Sequence, residues 1–263
     1  MLGEEISSLF FINWRKKLSI AIGCQDLTFN NIAAVIFDKD GTLENSLAFW
    51  REVGTERARL IDAQIPGVGE PLMMAFGIVD NILDPRGLMA VGSRYENEIA
   101  AAAYIAETGR SWHEARKIAK TAFTEISESK YLTKTPESAP LFSDVRDTLK
   151  SLTSAGLKIG ILSADSTEEV KKFVASHQLQ DYIQLCMGVD NEISKPDPRL
   201  FWQACQSLDI LAEQTLMVGD SAGDMMMAKT AKAAGKIGIC RYQNSQLPMA
   251  DAQINSLLEI QTL

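Results

Sequence analysis

Two aspartates, Asp38 and Asp40, stand two residues apart in Asp38-Lys39-Asp40-Gly41-Thr42, directly after the apolar run Ala33-Ala34-Val35-Ile36-Phe37. That run has the length of a strand buried in a parallel sheet, and open α/β sheets place their ligands at the C-terminal ends of such strands. Alternation along the chain points both acids to the same side. Carboxylates that close either raise one another's pKa or share a cation, and both arrangements serve chemistry. A surface turn or a calcium loop is the plainer reading. A calcium loop, however, needs a third oxygen ligand at the next alternate position and a closing Glu, and here Thr42-Leu43 turns apolar.

A second acidic group follows another apolar run, Thr215-Leu216-Met217-Val218, in Gly219-Asp220-Ser221-Ala222-Gly223-Asp224. Asp220 and Asp224 are four apart and face the same way on a helix. As N-cap and first-turn acids they would also suit the helix dipole, which is a purely structural role. Two acidic strand ends side by side gather four carboxylates at one sheet edge. That concentration costs several kcal/mol unless a cation offsets it, and Mg²⁺, octahedral and oxygen-loving, is the expected one. Lys195 sits between rigidifying residues in Ser194-Lys195-Pro196-Asp197-Pro198. Ser163 closes the run Lys158-Ile159-Gly160-Ile161-Leu162, where its hydroxyl and the following N–H groups are available to an anion.

These groups need a scaffold. The runs at 158–163, 215–220 and 236–240 alternate with helical patterns, the βαβ signature of a doubly wound α/β fold with a parallel sheet. Ser143 is the expected N-cap of a helix through Val145, Leu149 and Leu152, with Gly156 just past its end. Ser166 with Glu169 reads as a capping box, and Pro198 as the first turn of a further helix. Between Leu43 and Pro140 this alternation stops. The stretch reads as amphipathic helices near 45–64, 70–80, 94–107 and 111–128 and shows no strand pattern, so an all-helical domain is expected to be inserted after the first core strand. The expected division is an extension over residues 1–30, an α/β core over 31–43 and 141–263, and a helical insertion over 44–140. Leu18-Ser19-Ile20-Ala21-Ile22 alternates as an extra edge strand that extends the sheet, and residues 1–17 receive no assignment.

The bulk properties narrow the function. A net charge of -8 with dispersed Lys and Arg argues against a nucleic-acid partner. Cys24, Cys186, Cys205 and Cys240 show no C-x-x-C spacing and indicate neither a zinc cage nor a disulfide framework. His113 and His177, each within a helical pattern, are read as structural. The acidic start, Met1-Leu2-Gly3-Glu4-Glu5, and the short apolar Leu9-Phe10-Phe11-Ile12 suit neither a secretory signal nor a membrane span, so a cytoplasmic protein is expected.

The order Asp38/Asp40, Ser163, Lys195, Asp220/Asp224, at strand ends and with a helical insertion after the first motif, strongly resembles the haloacid dehalogenase superfamily. D-x-D-G-T with its second acid is similar to the phosphatase branch. The resemblance implies a Rossmann-like core and a Mg²⁺-dependent phosphomonoesterase. Asp38 would be the nucleophile, Asp40 the acid and base, and Asp38, Asp220 and the Asp40 carbonyl the metal ligands. Asp224 would hold a metal-bound water or steer Lys195. Ser163 and Lys195, joined by Thr42 and the Gly41 N–H, would bind the phosphoryl oxygens. It further implies that the insertion is a cap like those of phosphoglycolate phosphatases and β-phosphoglucomutases, and that the substrate is a small phosphorylated acid or sugar. Arg51, Arg86, Arg94 and Arg110 are the cap residues that could pair a substrate carboxylate. Two positions depart from the usual pattern: Ala164 follows Ser163 where an amide is common, and Lys39 separates the two acids. A sugar phosphomutase is the nearest rival, but the histidine its relatives carry soon after the first motif is absent before His113. A retired binding module would be expected to have lost one of Asp38, Asp40, Lys195 or Asp220, and all four are present.

Overall fold

The computed structural model describes residues 20–190, 193–242 and 246–263, so the unassigned residues 1–17 lie outside it. The chain enters through β1 (Ile20–Cys24), β2 (Leu27–Ile32) and β3 (Ala34–Phe37). The next segment carries α1 (Leu47–Gln64), α2 (Gly69–Phe76), β4 (Ile78–Val79), β5 (Ile82–Leu83), α3 (Leu88–Val91), α4 (Arg94–Glu107) and α5 (Trp112–Glu128). The remainder is α6 (Val145–Ser154), β6 (Lys158–Leu162), α7 (Thr167–Ser176), β7 (Leu185–Met187), α8 (Pro198–Leu208), β8 (Thr215–Gly219), α9 (Ala222–Ala231), β9 (Gly235–Ile239), β10 (Ala252–Ile254) and β11 (Ile260–Thr262).

Six of these strands form one sheet in the order β10-β9-β8-β3-β6-β7, with every pairing parallel. Alternation along β3 sends Val35 and Phe37 into a core with α6 and α7, and Ala34 and Ile36 into another with α8 and α9. Helices therefore cover both faces, which is the expected doubly wound α/β arrangement. Because β6, β3 and β8 are neighbours in register, their C-terminal ends bring Ser163, Asp38 and Asp220 to one edge.

Local signals set most helix starts. Ser111, Ser166 and Asp197 cap α5, α7 and α8, each accepting a backbone N–H, and Pro198 follows its cap directly. Helix α6 differs from expectation. Its N-cap is Asp144, not Ser143, and the carboxylate makes no cap bond. It accepts instead from Arg241 Nη1 and Nη2, from Ser256 Oγ and from the Leu257 N–H, at 2.6 to 2.9 Å. Both ions of the Asp144–Arg241 pair are buried. Asp144→Ala would strand a buried guanidinium, so it is expected to cost about 3–5 kcal/mol in a urea melt. Burial alone would raise the Asp144 carboxyl, but the Arg241, Leu257 and Ser256 donors hold it below its ordinary value. Its stabilisation is then fully present above pH ~4, the unfolded carboxylate range, and is lost as pH falls through the lower folded value.

Two expectations are corrected. The alternating N-terminal segment does not extend the main sheet: β1 pairs with β2 and β11 in a separate three-stranded antiparallel sheet. Ile22, Ile32 and Ile260 pack in one core with Val145, Leu149 and Leu152 of α6, which buries the apolar face of this sheet there. The inserted segment is also not all-helical. Gly77, at φ 86°, ends α2 before residue 80, and β4 and β5 form a small hairpin turned by Asp80 and Asn81 with positive φ. Its helices share a core of their own, including Phe49, Ile61, Leu72, Phe76, Ile105 and Phe123. The chain leaves and re-enters side by side: the Asn45 N–H donates to Pro140 O and the Phe142 N–H to Leu43 O.

Candidate active site

Asp38, at the end of β3, is 6% exposed, and its Oδ1 accepts from Lys195 Nζ at 2.5 Å. The same ammonium lies 2.7 Å from Asp224 Oδ1. Carboxylate oxygens of Asp38, Asp220 and Asp224 all lie within 4.8 Å of one another. Asp224 is fixed by a capping box at the start of α9, where Ser221 Oγ donates to Asp224 Oδ2 at 2.6 Å. The helix cap is thus Ser221, not Asp220, and Asp224 both closes the cap and orients Lys195.

One ammonium against three carboxylates leaves this cluster negative. Burial, followed by the opposing effect of Lys195 and the repulsion of Asp224, leaves the Asp38 carboxyl at about 7. Burial and the charges of Asp38 and Asp224 push Asp220 well above the carboxylate range. Asp38 Oδ2 is buried with no hydrogen-bond partner. An all-oxygen donor set with an unsatisfied buried oxygen and surplus negative charge fits a hard divalent cation such as Mg²⁺. Gly41, at φ 76°, makes room for the cluster, since a Cβ there would overlap Asp220 Oδ2. Gly41→Ala is therefore expected to displace Asp220. Calorimetric titration should show Mg²⁺ affinity falling by tenfold or more, within the range seen when groups supporting a metal site are changed.

Asp40 lies apart from that cluster in its hydrogen bonding. Its carboxylate accepts from Lys39 Nζ, from Lys134 Nζ at 2.6 Å and from Trp50 Nε1 at 2.7 Å. Burial would raise this carboxyl, but Lys134 and Lys39 hold it well below its ordinary value. Lys39, whose orientation the sequence leaves open, points inward: it is 1% exposed and also meets Glu44 and Asp165. Lys134 bridges Asp40 and Glu44 from the returning end of the insertion.

A cavity of about 870 Å³ opens over these groups, walled by Asp38, Lys39, Asp40, Ser163, Lys195 and Asp220 below and by residues of α1, α3, α4 and the 126–135 segment above. Of the expected phosphoryl-contacting residues, Ser163 and Lys195 reach it. Thr42 and Gly41 are buried and do not line it: the Gly41 N–H donates to Glu44 O and the Thr42 carbonyl accepts from Arg241 Nη2, while Thr42 Oγ1 is buried with no hydrogen-bond partner. Among the four arginines suggested for substrate recognition, only Arg94 lines the cavity. Arg86 pairs with Asp84, Arg110 with Glu114, and Arg51 donates to Asn81 O. The sequence reading missed Trp50, Arg57, Lys134 and Glu44, all on the wall. His177, read as structural, lines it too. Burial and then Arg146 lower its pKa, which favours the neutral imidazole.

In sequence and in fold the chain is similar to known proteins. Residues 32–232 match the model of the haloacid dehalogenase-like hydrolase family. A phosphoglycolate phosphatase from Yersinia pestis is 29% identical over 208 residues, 77% of this chain and 79% of that one. A HAD phosphatase from Thermococcus onnurineus superposes with a TM-score of 0.60 at 20% identity, covering 87% of this chain and 95% of its own. A Thermotoga maritima chain assigned as a β-phosphoglucomutase has the same fold, with a TM-score of 0.57 at 17% identity, covering 87% and 96%. With its parallel sheet, its acidic strand ends and a family match over most of its length, the chain belongs to the haloacid dehalogenase-like hydrolases.

Proposed function

We propose that this hydrolase is a Mg²⁺-dependent phosphomonoesterase that works through an aspartyl phosphate on Asp38, with residues 44–140 as a cap over the site. The observation that carries the reading is the state of Asp38: one oxygen is held by Lys195 at 2.5 Å, the other is buried and unpartnered, and a carboxylate oxygen of Asp38 lies within 4.8 Å of one from Asp220. Its substrate class is a small phosphorylated acid or sugar. The phosphoglycolate phosphatase relatives support this class, as does a cavity of about 870 Å³, in the usual range for small-molecule sites. A cytoplasmic location fits such a substrate, and no helix among the described residues is long and apolar enough to cross a membrane.

Asp38 attacks phosphorus, an acyl phosphate forms and the ester P–O bond breaks. The departing alkoxide takes a proton from Asp40. Water then attacks the acyl phosphate, gives its proton back to Asp40 and releases phosphate with Asp38 restored. Lys195 and Ser163 neutralise and orient the phosphoryl oxygens throughout. Mg²⁺, held by Asp38, Asp220 and the Asp40 carbonyl, would add charge stabilisation to the phosphoryl group. Asp40, ionised between Lys39 and Lys134, is set for the water-activating half. Its acid half requires Lys134 to withdraw, which ties the protonation of Asp40 to movement of the cap's returning segment.

The test is phosphate release from an aryl phosphate and a panel of small phosphate esters, with Mg²⁺ and with EDTA. Release that EDTA abolishes and Mg²⁺ restores is expected. Turnover indifferent to EDTA, or transfer of the phosphoryl group to a sugar hydroxyl in preference to water, would overturn the reading.

A further inference from the structure

The buried cations of this protein are paired with carboxylates, with one exception among the described residues. Lys39 meets Asp40, Glu44 and Asp165; Lys195 meets Asp38 and Asp224; Arg241 meets Asp144. Arg57, on α1 in the upper wall of the cavity, is 5% exposed and has no such partner. Its Nε has no hydrogen-bond partner, and its Nη1 finds only the weak acceptor Met89 Sδ at 3.9 Å. The guanidinium stacks on Phe123, 4.1 Å from the ring centroid. Stacking of this kind offsets only part of what an unpaired buried ion costs. Burial, and next to it Arg94, depresses the guanidinium to about 10, with Asp165 and Glu98 acting in the opposite sense. An anion arriving in the cavity would satisfy this group.

We propose that Arg57 is the specificity-determining residue of the cavity, pairing a carboxylate that the substrate carries at the end opposite its phosphoryl group. The inference rests on hydrolysis of phosphate esters at Asp38. A guanidinium presents its donors in a planar fork that matches one carboxylate in charge and geometry. The fork would also fit a phosphate, but a carboxylate monoanion balances the single charge of Arg57, whereas a second phosphate dianion brings more negative charge than this one buried cation offsets. Arg94, the other arginine on the wall, is exposed and occupied by Ser127 Oγ and Thr124 Oγ1, and Glu98 and Glu128 add negative charge to the same wall. Stacking on Phe123 holds the fork in place before a ligand arrives, so little of the pairing energy is lost to ordering.

The experiment compares kcat/KM for phosphoglycolate and 3-phosphoglycerate with their uncharged alcohol counterparts, 2-hydroxyethyl phosphate and glycerol phosphate, and with a bisphosphate of similar length. In the intact chain the carboxylated member of at least one pair should be favoured by about 100-fold, the scale of a desolvated charge pair. In Arg57→Met, which keeps the apolar stem over Phe123, that ratio should collapse towards one, mainly through KM. Arg57→Lys, which keeps the charge without the fork, should fall between. Because each ratio is read on one preparation, the fraction folded cancels. A ratio near one in the intact chain, a ratio that survives in Arg57→Met, or a stronger Arg57-dependent preference for the bisphosphate would each overturn the assignment. If no ester is hydrolysed, including the aryl phosphate, the phosphomonoesterase reading falls first and takes this inference with it.

Discussion

Asp38→Asn is expected to lower kcat for every phosphate ester by about 10⁴-fold or more, the scale on which removal of a covalent nucleophile acts. The amide keeps the shape of the carboxylate but cannot form an acyl phosphate. The fold should tolerate the change. Asp38 is one of three clustered carboxylates, and removing its charge relieves repulsion with Asp220 and Asp224 while Lys195 keeps Asp224 at 2.7 Å. The thermal midpoint should therefore stay within a few degrees, roughly the shift of about 1 kcal/mol. Turnover and a thermal melt on the same sample separate the two effects. Residual activity above about one per cent of the parent rate would mean that another group attacks phosphorus.

The second large effect is expected for Lys195→Met, which should act on both rate and stability. Lys195 is the cation that the described structure places against Asp38 and Asp224, and it is buried beside them. Burial disfavours its charge, but Asp224 and Asp38 outweigh this and raise its pKa, so it is an ammonium throughout the neutral range. Losing a preorganised charge at the transferring group should reduce kcat by about 10²–10³-fold. Stranding two buried carboxylates should destabilise the metal-free protein by about 3–5 kcal/mol. Mg²⁺ binds the folded state and neutralises the same oxygens, so saturating metal should restore part of the lost stability but not the rate. Paired urea melts with Mg²⁺ and with EDTA would measure this. Equal destabilisation under both conditions would separate Lys195 from the cation site.

Much of this site could be read from sequence because it sits at strand ends. Apolar runs ending in Asp38, Ser163 and the Gly219-Asp220 step carry their positions with them once β6, β3 and β8 are neighbours in a parallel sheet. Lys195 was legible because Pro196 and Asp197-Pro198 mark a loop entering a helix. The upper wall was not legible. Lys134 contacts Asp40 across 94 residues of chain, and Arg57 has the spacing of any helical arginine until Phe123 and Met89 pack around it. Nothing local to either residue encodes such a contact. The hairpin of β4 and β5 did leave a trace, since Val79-Asp80-Asn81-Ile82 has residues tolerant of positive φ between apolar pairs. Two-residue strands are too short to show a period of two, and the surrounding helical pattern prevailed. The motif suggests a phosphoryl contact for Thr42; the turn after Asp40 buries the residue and leaves its Oγ1 with no hydrogen-bond partner.

The claim on which the rest depends is that Asp38 carries the phosphoryl group between substrate and water. Rapid acid quenching during turnover, followed by mass analysis of the digested protein, reads this directly. One PO₃ group on the peptide containing Asp38, labile to hydroxylamine and absent in Asp38→Asn, is the expected result. Phosphate release with no adduct at any quench time, or an adduct on another residue, would contradict the account.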